Sequence, residues 1–311
     1  MHNVVIIGAG PAGLTAAIYA ARALLQPLVI TGSLPGGQIT LTNEMENYPG
    51  FPEGIGGFEL YQAMEKQARR FGTELVHEVA TKVDFSKHPF TIVTDKTTYQ
   101  ARTVIIATGS SPRKLAVPGE KELTGRGVSY CATCDGFFFK EQQVAVIGGG
   151  NSALDEAIFL TRFASKVTII HRRDRLRADL ILQERARKNE KIDFIWDSVV
   201  TEIMGEKQVE QIRLKNLKTG QESLFPVDGV FIFIGHLPNT EIFQGQIDMD
   251  DRGYILTDRR QRTNVDGVYA AGDVQDPLYR QSVTAAGSGC IAALEAEKFI
   301  AELEGQSYPG K

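Results

Sequence analysis

Cysteine is scarce in this sequence: three occur in 311 residues, and two of them share the tetrapeptide Cys131-Ala132-Thr133-Cys134. That is too few for the disulfide framework of a secreted domain, and it fits a reducing compartment with one working pair. No apolar run reaches the roughly 18 residues that a bilayer crossing requires. The chain enters the strand-like Val4-Val5-Ile6-Ile7 too early for a secretory signal peptide, so a cytoplasmic protein without membrane attachment is expected. A dominant charge is missing as well. Lys and Arg number 34 against 38 Asp and Glu, and the net charge of −4 gives no reason to expect nucleic-acid binding. No low-complexity tract occurs, and the length allows two domains, each with its own core.

The cysteine pair lies between two glycine-rich segments, Gly8-Ala9-Gly10-Pro11-Ala12-Gly13 and Gly148-Gly149-Gly150-Asn151-Ser152-Ala153. A C-x-x-C pair closes a small disulfide ring and exchanges two electrons. Two dinucleotide sites imply one cofactor that delivers a hydride and another that receives it. Together the three features read as a relay from a nicotinamide, through a flavin, to the cysteines.

Around the first segment, Val4–Ile7 has the β-branched character of a buried parallel strand, and an alanine-rich helical stretch continues through Arg22. Gly8 takes the tight turn, Gly10 stands where a pyrophosphate must meet backbone, and Gly13 lets helix and strand pack closely. The helix N-terminus then offers free N–H groups to phosphate. The next strand, Leu28-Val29-Ile30, ends in Thr31-Gly32 and not in the acid that usually grips a ribose hydroxyl, so the adenosine must be held otherwise. Gly36-Gly37-Gln38 and the run at 44–51, which includes Asn47, come closely enough behind to wrap the rest of a large cofactor.

The second segment succeeds the strand Val144–Ile147 and leads into a helix expected to about Phe163. The next strand, Lys166–Ile170, ends in His171-Arg172-Arg173-Asp174-Arg175-Leu176-Arg177. Where an acid would select NAD, arginines select the 2′-phosphate of NADP, because guanidinium forks match phosphate oxygens. The plainer alternative is a solvated basic turn at a strand end. Two more strands end in small-residue turns, Thr103–Gly109 and Thr263–Asp273. Pro and Gly mark two chain crossings, at Ser110–Arg113 with Val117-Pro118-Gly119, and at Gly235–Asn239. Residues 249–262 read as a polar surface hairpin around Asp251-Arg252-Gly253.

In order along the whole chain, GAGPAG, SYCATCDGFF (129–138), GGGNSA, HRRDRLRA and AAGDV resemble the two-dinucleotide-binding flavoprotein disulfide reductases. Within them the likeness is to the low-molecular-weight, bacterial-type NADPH-dependent thioredoxin reductases. The resemblance implies an α/β chain of two Rossmann-like domains. A discontinuous FAD domain, 1–113 with 239–311, would receive an inserted NADPH domain, 114–238, that carries the redox pair. It implies FAD contacts from Gly8, Gly10, Pro11, Ala12, Gly13, Gly37, Gln38, Asn47, Ala107, Thr108, Gly109, Arg280, Gln281 and Ser282, with Asp273 on the ribityl chain. NADPH would be met by Gly148, Gly150, Asn151, Ser152, Ala153, His171, Arg172, Arg173 and Arg177. Cys134 would face the flavin at C4a, Cys131 would attack the disulfide of thioredoxin, and Asp135 would serve as acid and base. Family members rotate one domain against the other between half-reactions and form homodimers.

Other readings stay open at this stage. Three adjacent phenylalanines are more often core, whereas in the family Phe137 and Phe138, with Arg126, help line the groove where thioredoxin docks. Half a zinc site would need a second cysteine pair, which Cys290 alone does not provide, and Cys290 is expected to be a buried helix residue outside catalysis. No histidine sits beside the cysteines as in the larger disulfide reductases, and His77, His88 and His236 look incidental. A ferredoxin-fed reductase usually loses the second fingerprint, and a peroxiredoxin-partner flavoprotein carries an extra redox domain. A small-molecule dithiol oxidase would keep the flavin and the cysteines and change only the pocket. A structural flavin module would have no use for the pair.

Overall fold

Parallel strands are covered on both faces and must be apolar throughout. In the strand His2–Ile7, residues 4–7 meet that demand, with Val4, Val5 and Ile6 wholly buried. The computed structural model describes residues 1–42 and 45–306, so Glu44 of the 44–51 run lies outside the described residues. The chain divides into two units, Met1–Ser111 with Leu237–Lys311, and Pro112–His236. These joints stand two residues ahead of those read from the sequence.

In the first unit, His2–Ile7 lies between Leu28–Ile30 and Thr98–Ile106, with Glu74–Val76 beyond Leu28–Ile30, all parallel. Thr98–Ile106 is long enough to take different partners along its length within one seven-stranded sheet. Its second half pairs in parallel with Val268–Ala270, and its first half pairs antiparallel with Phe90–Thr94, which in turn pairs with Ala80–Asp84. The strand expected over Thr263–Asp273 is thus confined to Val268–Ala270, because Thr263 turns its hydroxyl onto the Val268 carbonyl. The expected hairpin at 249–262 shrinks to a turn closed by one bridge, Met249 to Ile255. The helices Pro11–Arg22 and Ser282–Leu303 pack through small residues: a Cβ on Gly289 would overlap the Ala12 carbonyl.

The second unit repeats the plan. Its parallel sheet runs Ile192–Ile195, Lys166–Ile170, Gln143–Ile147, Gly229–Ile232, Val128–Ser129, with the last at an edge. An antiparallel sheet of Ser198–Met204, Gln211–Asn216 and Glu222–Pro226 is added to it. The helix after the glycine turn spans Asn151–Leu160 and ends before the expected Phe163, its last turn tightening through Phe163 N–H on the Leu160 carbonyl. Ser129, Ile147 and Ile170 stand at the C-terminal ends of parallel strands, so the loops they lead into gather at one edge of the sheet. That is the edge where open α/β sheets bind ligands. Among the described residues, no helix is long and apolar enough to cross a membrane.

Candidate active site

The edge strand Val128–Ser129 delivers the redox turn. Cys131 caps the short helix Ala132–Asp135 and is joined to Cys134 in a disulfide. Both sulfurs belong to half-exposed residues, and Thr133 Oγ1 stands 3.3 Å from Cys131 Sγ. The turn sits tightly on the Asn151–Leu160 helix, since a Cβ on Gly136 would come within 3.1 Å of Leu160 Cδ2. Asp135 lies half-buried at the end of the turn. Burial pushes its carboxyl above the usual range, opposed by a hydrogen bond from Ser129 Oγ to Oδ2 at 2.6 Å. A partly desolvated carboxyl of this kind holds its proton more readily than an exposed one, as an acid and base for thiols requires. Sequence reasoning missed Ser129. It also missed Glu120, whose buried carboxylate accepts from Tyr130 Oη at 2.8 Å and from the N–H groups of Leu115 and Ala116, tying the residue before Cys131 to the segment that enters the unit.

The phenylalanine run divides between the two readings. Phe139 is buried on Gly229 and Phe231, whereas Phe137 and Phe138 are 51% and 42% exposed beside the disulfide. Arg126 is exposed and donates to the Glu122 carbonyl. Cys290, expected to be buried, is half-buried in the Ser282–Leu303 helix.

On the same sheet edge lies the second glycine turn. Gly148 holds φ +153°, and a Cβ there would press on the Phe233 carbonyl and on buried Ala153. Gly150 caps the Asn151–Leu160 helix with no side-chain cap, no acid in the first turn, and open space where a side chain would project. Unsatisfied N–H groups at such an end favour an anion. Ser152 is exposed beside it. Asn151 is not free, however. Its amide exchanges two hydrogen bonds with Asp179, Nδ2 to Oδ2 at 2.8 Å and Asp179 N–H to Oδ1 at 2.8 Å. With Arg177 N–H on the Gly149 carbonyl at 2.7 Å, this pair pins the arginine loop to the glycine turn at two points.

His171 lies buried beneath Gly149. Burial, and then Arg177, Arg172 and Arg173, hold its ring below the usual imidazole range, so it is neutral at pH 7. Arg172, Arg173 and Arg177 are exposed, and no carboxylate pairs with them among the described residues. The one acid in the run, Asp174, is drawn instead to Lys218 at 3.2 Å, which also holds Asp197 at 2.9 Å.

In the first unit, a Cβ on Gly8, at φ +113°, or on Gly13 would overlap a backbone carbonyl, that of Ala107 or of Gly8 respectively. Gly10 caps the Pro11–Arg22 helix without a side-chain cap, and Pro11 sits in the first turn, where its missing N–H costs nothing. A Cβ on Gly37 would lie 3.8 Å from Gly10 Cα, which brings the Gly36–Gln38 segment beside the helix end. Asn47 Nδ2 donates to Gln281 Oε1 at 3.4 Å, and Gln281 caps the helix that Ser282 opens, just after Arg280 at φ +49°. Thr108 and Gly109 are held by Asn239, whose amide donates to the Thr108 carbonyl at 2.8 Å while its own carbonyl accepts from Thr108 Oγ1 at 2.7 Å. Asp273 comes directly after Gly272, which is at φ +78° over Ala12. Burial, helped by Asp276, raises its carboxyl to about 6. At the end of the second strand, where the usual acid is lacking, Thr31 is buried with Oγ1 3.3 Å from His77 Nδ1.

Residues 2–289 match the family described as Pyridine nucleotide-disulphide oxidoreductase. The thioredoxin reductase of Rickettsia felis is 55% identical over 303 residues, covering 96% of this chain and 98% of that protein. That of Streptomyces coelicolor is 53% identical over 316 residues, covering 100% and 98%. Among solved structures, the thioredoxin reductase from Streptococcus pyogenes matches with a TM-score of 0.92 at 46% identity, covering 97% of this chain and 99% of that one. Thioredoxin reductase from Lactococcus lactis in its FR conformation matches with a TM-score of 0.67 at 46% identity, covering 97% and 100%. Likeness of this extent makes the chain a member of the pyridine nucleotide-disulphide oxidoreductase family, in the company of the thioredoxin reductases.

Proposed function

We propose that the chain reduces the disulfide of a thioredoxin with two electrons from NADPH, by way of FAD and the Cys131–Cys134 pair. The observation that carries this reading is the redox turn itself: a half-exposed disulfide with a desolvated carboxyl beside it, on the same sheet edge as an anion-ready helix end. Bound FAD supplies a two-electron carrier between a nicotinamide and a disulfide. The first unit fits it, with the uncapped helix end at Gly10, the Gly37–Gln38 segment beside it, and Asp273 desolvated and ready to hydrogen-bond a hydroxyl. The second unit fits NADPH, since Arg172 and Arg173 pair with no carboxylate among the described residues and the helix end at Gly150 is open.

In the exchange, the Cys131 thiolate attacks a thioredoxin sulfur, forming a mixed disulfide and releasing one thioredoxin thiolate. Cys134 then attacks Cys131, restoring the internal disulfide and freeing the second sulfur. Asp135 takes the proton from the attacking thiol and returns it to the leaving thiolate. Phe137 and Phe138 offer exposed aromatic area beside the pair for the partner protein. The unit joined through the two crossings turns between half-reactions, and the chain acts as a homodimer.

Mixing the yellow, FAD-loaded protein with NADPH and oxidised thioredoxin should consume NADPH in proportion to the thioredoxin thiols formed. NADPH loss without new thioredoxin thiols would refute the reading. Cys134→Ser should trap thioredoxin lacking its resolving cysteine on Cys131, and trapping by Cys131→Ser instead would reverse the two roles.

A further inference from the structure

Ser129 ends its edge strand and is buried, so its hydroxyl needs partners. Its surroundings are complete in two different ways. Cys131 N–H donates to Oγ at 3.1 Å and occupies one lone pair. The hydroxyl proton has two acceptors within reach, Asp135 Oδ2 at 2.6 Å and the Cys131 carbonyl oxygen at 3.2 Å. When Asp135 is ionised, Ser129 donates to Oδ2. When Asp135 carries a proton on Oδ2, the carboxyl donates to the remaining lone pair of Oγ, and the serine proton turns to the Cys131 carbonyl. Neither state strands a buried donor or acceptor.

We infer that Ser129 is a positioning residue for the thiol–disulfide exchange, its hydroxyl turning between Asp135 and the Cys131 carbonyl as the carboxyl loses and gains its proton. The inference rests on Asp135 being the acid and base of the proposed function. In that exchange an enzyme dithiol and a target disulfide become an enzyme disulfide and a target dithiol. Two electrons pass and no net proton is taken from water, so one carboxyl that takes the proton from a cysteine thiol and returns it balances the exchange. Ser129 keeps that carboxyl hydrogen-bonded in both forms.

Other charges do not take over this task. With the disulfide closed, burial raises the Asp135 carboxyl and the Ser129 hydrogen bond lowers it. The helix Asn151–Leu160, packed on the turn, carries Asp155 and Glu156. Asp155 answers to burial, Arg185 and Asp179, and neither acid figures among the influences on Asp135.

The test uses the FAD-loaded protein with Ser129→Ala, Ser129→Thr and Asp135→Asn. Ser129→Ala should slow thioredoxin turnover roughly 10–100-fold, the scale of one lost hydrogen bond to a charged group, while reduction by NADPH is unchanged. In the dithiol-reduced protein, the pH at which Cys131 becomes reactive to iodoacetamide should move upward, because Asp135 without its donor holds its proton to higher pH. Ser129→Thr keeps the hydroxyl and should restore both readouts. A Ser129→Ala profile that overlies the parent, or a Ser129→Thr profile displaced as far as the alanine one, overturns the inference. If Asp135→Asn loses turnover while Ser129→Ala leaves the profile unmoved, the serine role alone falls. If Asp135→Asn keeps full turnover, the acid–base reading falls and takes the serine role with it.

Discussion

The two units share one plan and part company at the end of the second strand. In each, a buried β-branched strand feeds a glycine turn and an uncapped helix, and the next parallel strand stops beside that turn. In the first unit that strand stops at a buried Thr31 paired with His77. In the second it stops at a buried, neutral His171 and then Arg172 and Arg173, whose acidic neighbour Asp174 is occupied by Lys218. Under the proposed function, backbone geometry meets a dinucleotide phosphate in each unit, and the side chains one strand away select which dinucleotide it belongs to. The units also differ in what their buried titratable group prefers, a raised carboxyl in one and a depressed imidazole in the other.

The comparison breaks most sharply at the two helix caps. Gly10 has only ordinary contact where a Cβ would project, and Gly150 has open space, so a Cβ at either position is accommodated and the methyls of a valine would cover the helix end. Gly10→Val should purify colourless. Gly150→Val should purify yellow and need on the order of 100-fold more NADPH, given roughly 1.5–3 kcal/mol for each charged hydrogen bond lost. Absorbance at purification and an NADPH titration decide it, and equal FAD loss in both variants would mean the turns are not divided between the cofactors.

Next in size is the arginine pair. Arg172→Ala with Arg173→Ala should raise KM for NADPH by roughly 10–100-fold per lost contact and leave KM for NADH nearly unchanged. Equal losses with both cofactors would make the arginines structural.

The titrating groups give opposite pH dependences. Asp273, raised from 3.8 to about 6, binds its proton more tightly in the folded chain. Its cost is therefore absent below 3.8 and complete above 6. Asp273→Asn should stabilise the cofactor-free protein at pH 7 by about 1–3 kcal/mol, the gain fading as pH falls through that window. His171 is depressed, so the stability linked to its neutral ring is present above 6.5 and lost as pH falls below that value. His171→Gln should blunt that acid loss. Denaturant titrations at several pH values check both signs.

The smallest effect is at Lys218. Lys218→Met releases Asp174 toward the arginines and should raise KM for NADPH a few-fold at low salt only, because exposed ion pairs contribute little and are screened. An effect that persists at high salt would point away from charge competition.

Strand, turn and helix at both fingerprints were legible in the sequence because they are local: β-branched runs, glycines at fixed offsets, and the basic run just after a strand. The pieces that hold the site together were not. Asn151 with Asp179, Glu120 with Tyr130, and Thr108 with Asn239 are hydrogen bonds across folded space, and no spacing rule marks their polar side chains before the sheet brings them together. Ser129 is only six residues from Asp135, yet its partnership depends on the edge strand bending into the redox turn. The three phenylalanines show the same limit. Composition does not say that Phe139 turns inward onto Gly229 while its two neighbours stay outside.

The most direct measurement is a thiol count. The FAD-loaded protein, mixed without oxygen or thioredoxin with one equivalent of NADPH per chain and then unfolded in acid, should show its free thiols rise from the single Cys290 to all three cysteines. Alkylation mapping should locate the two new thiols at Cys131 and Cys134. NADPH consumed with the Cys131–Cys134 disulfide intact would contradict the relay that joins the two units.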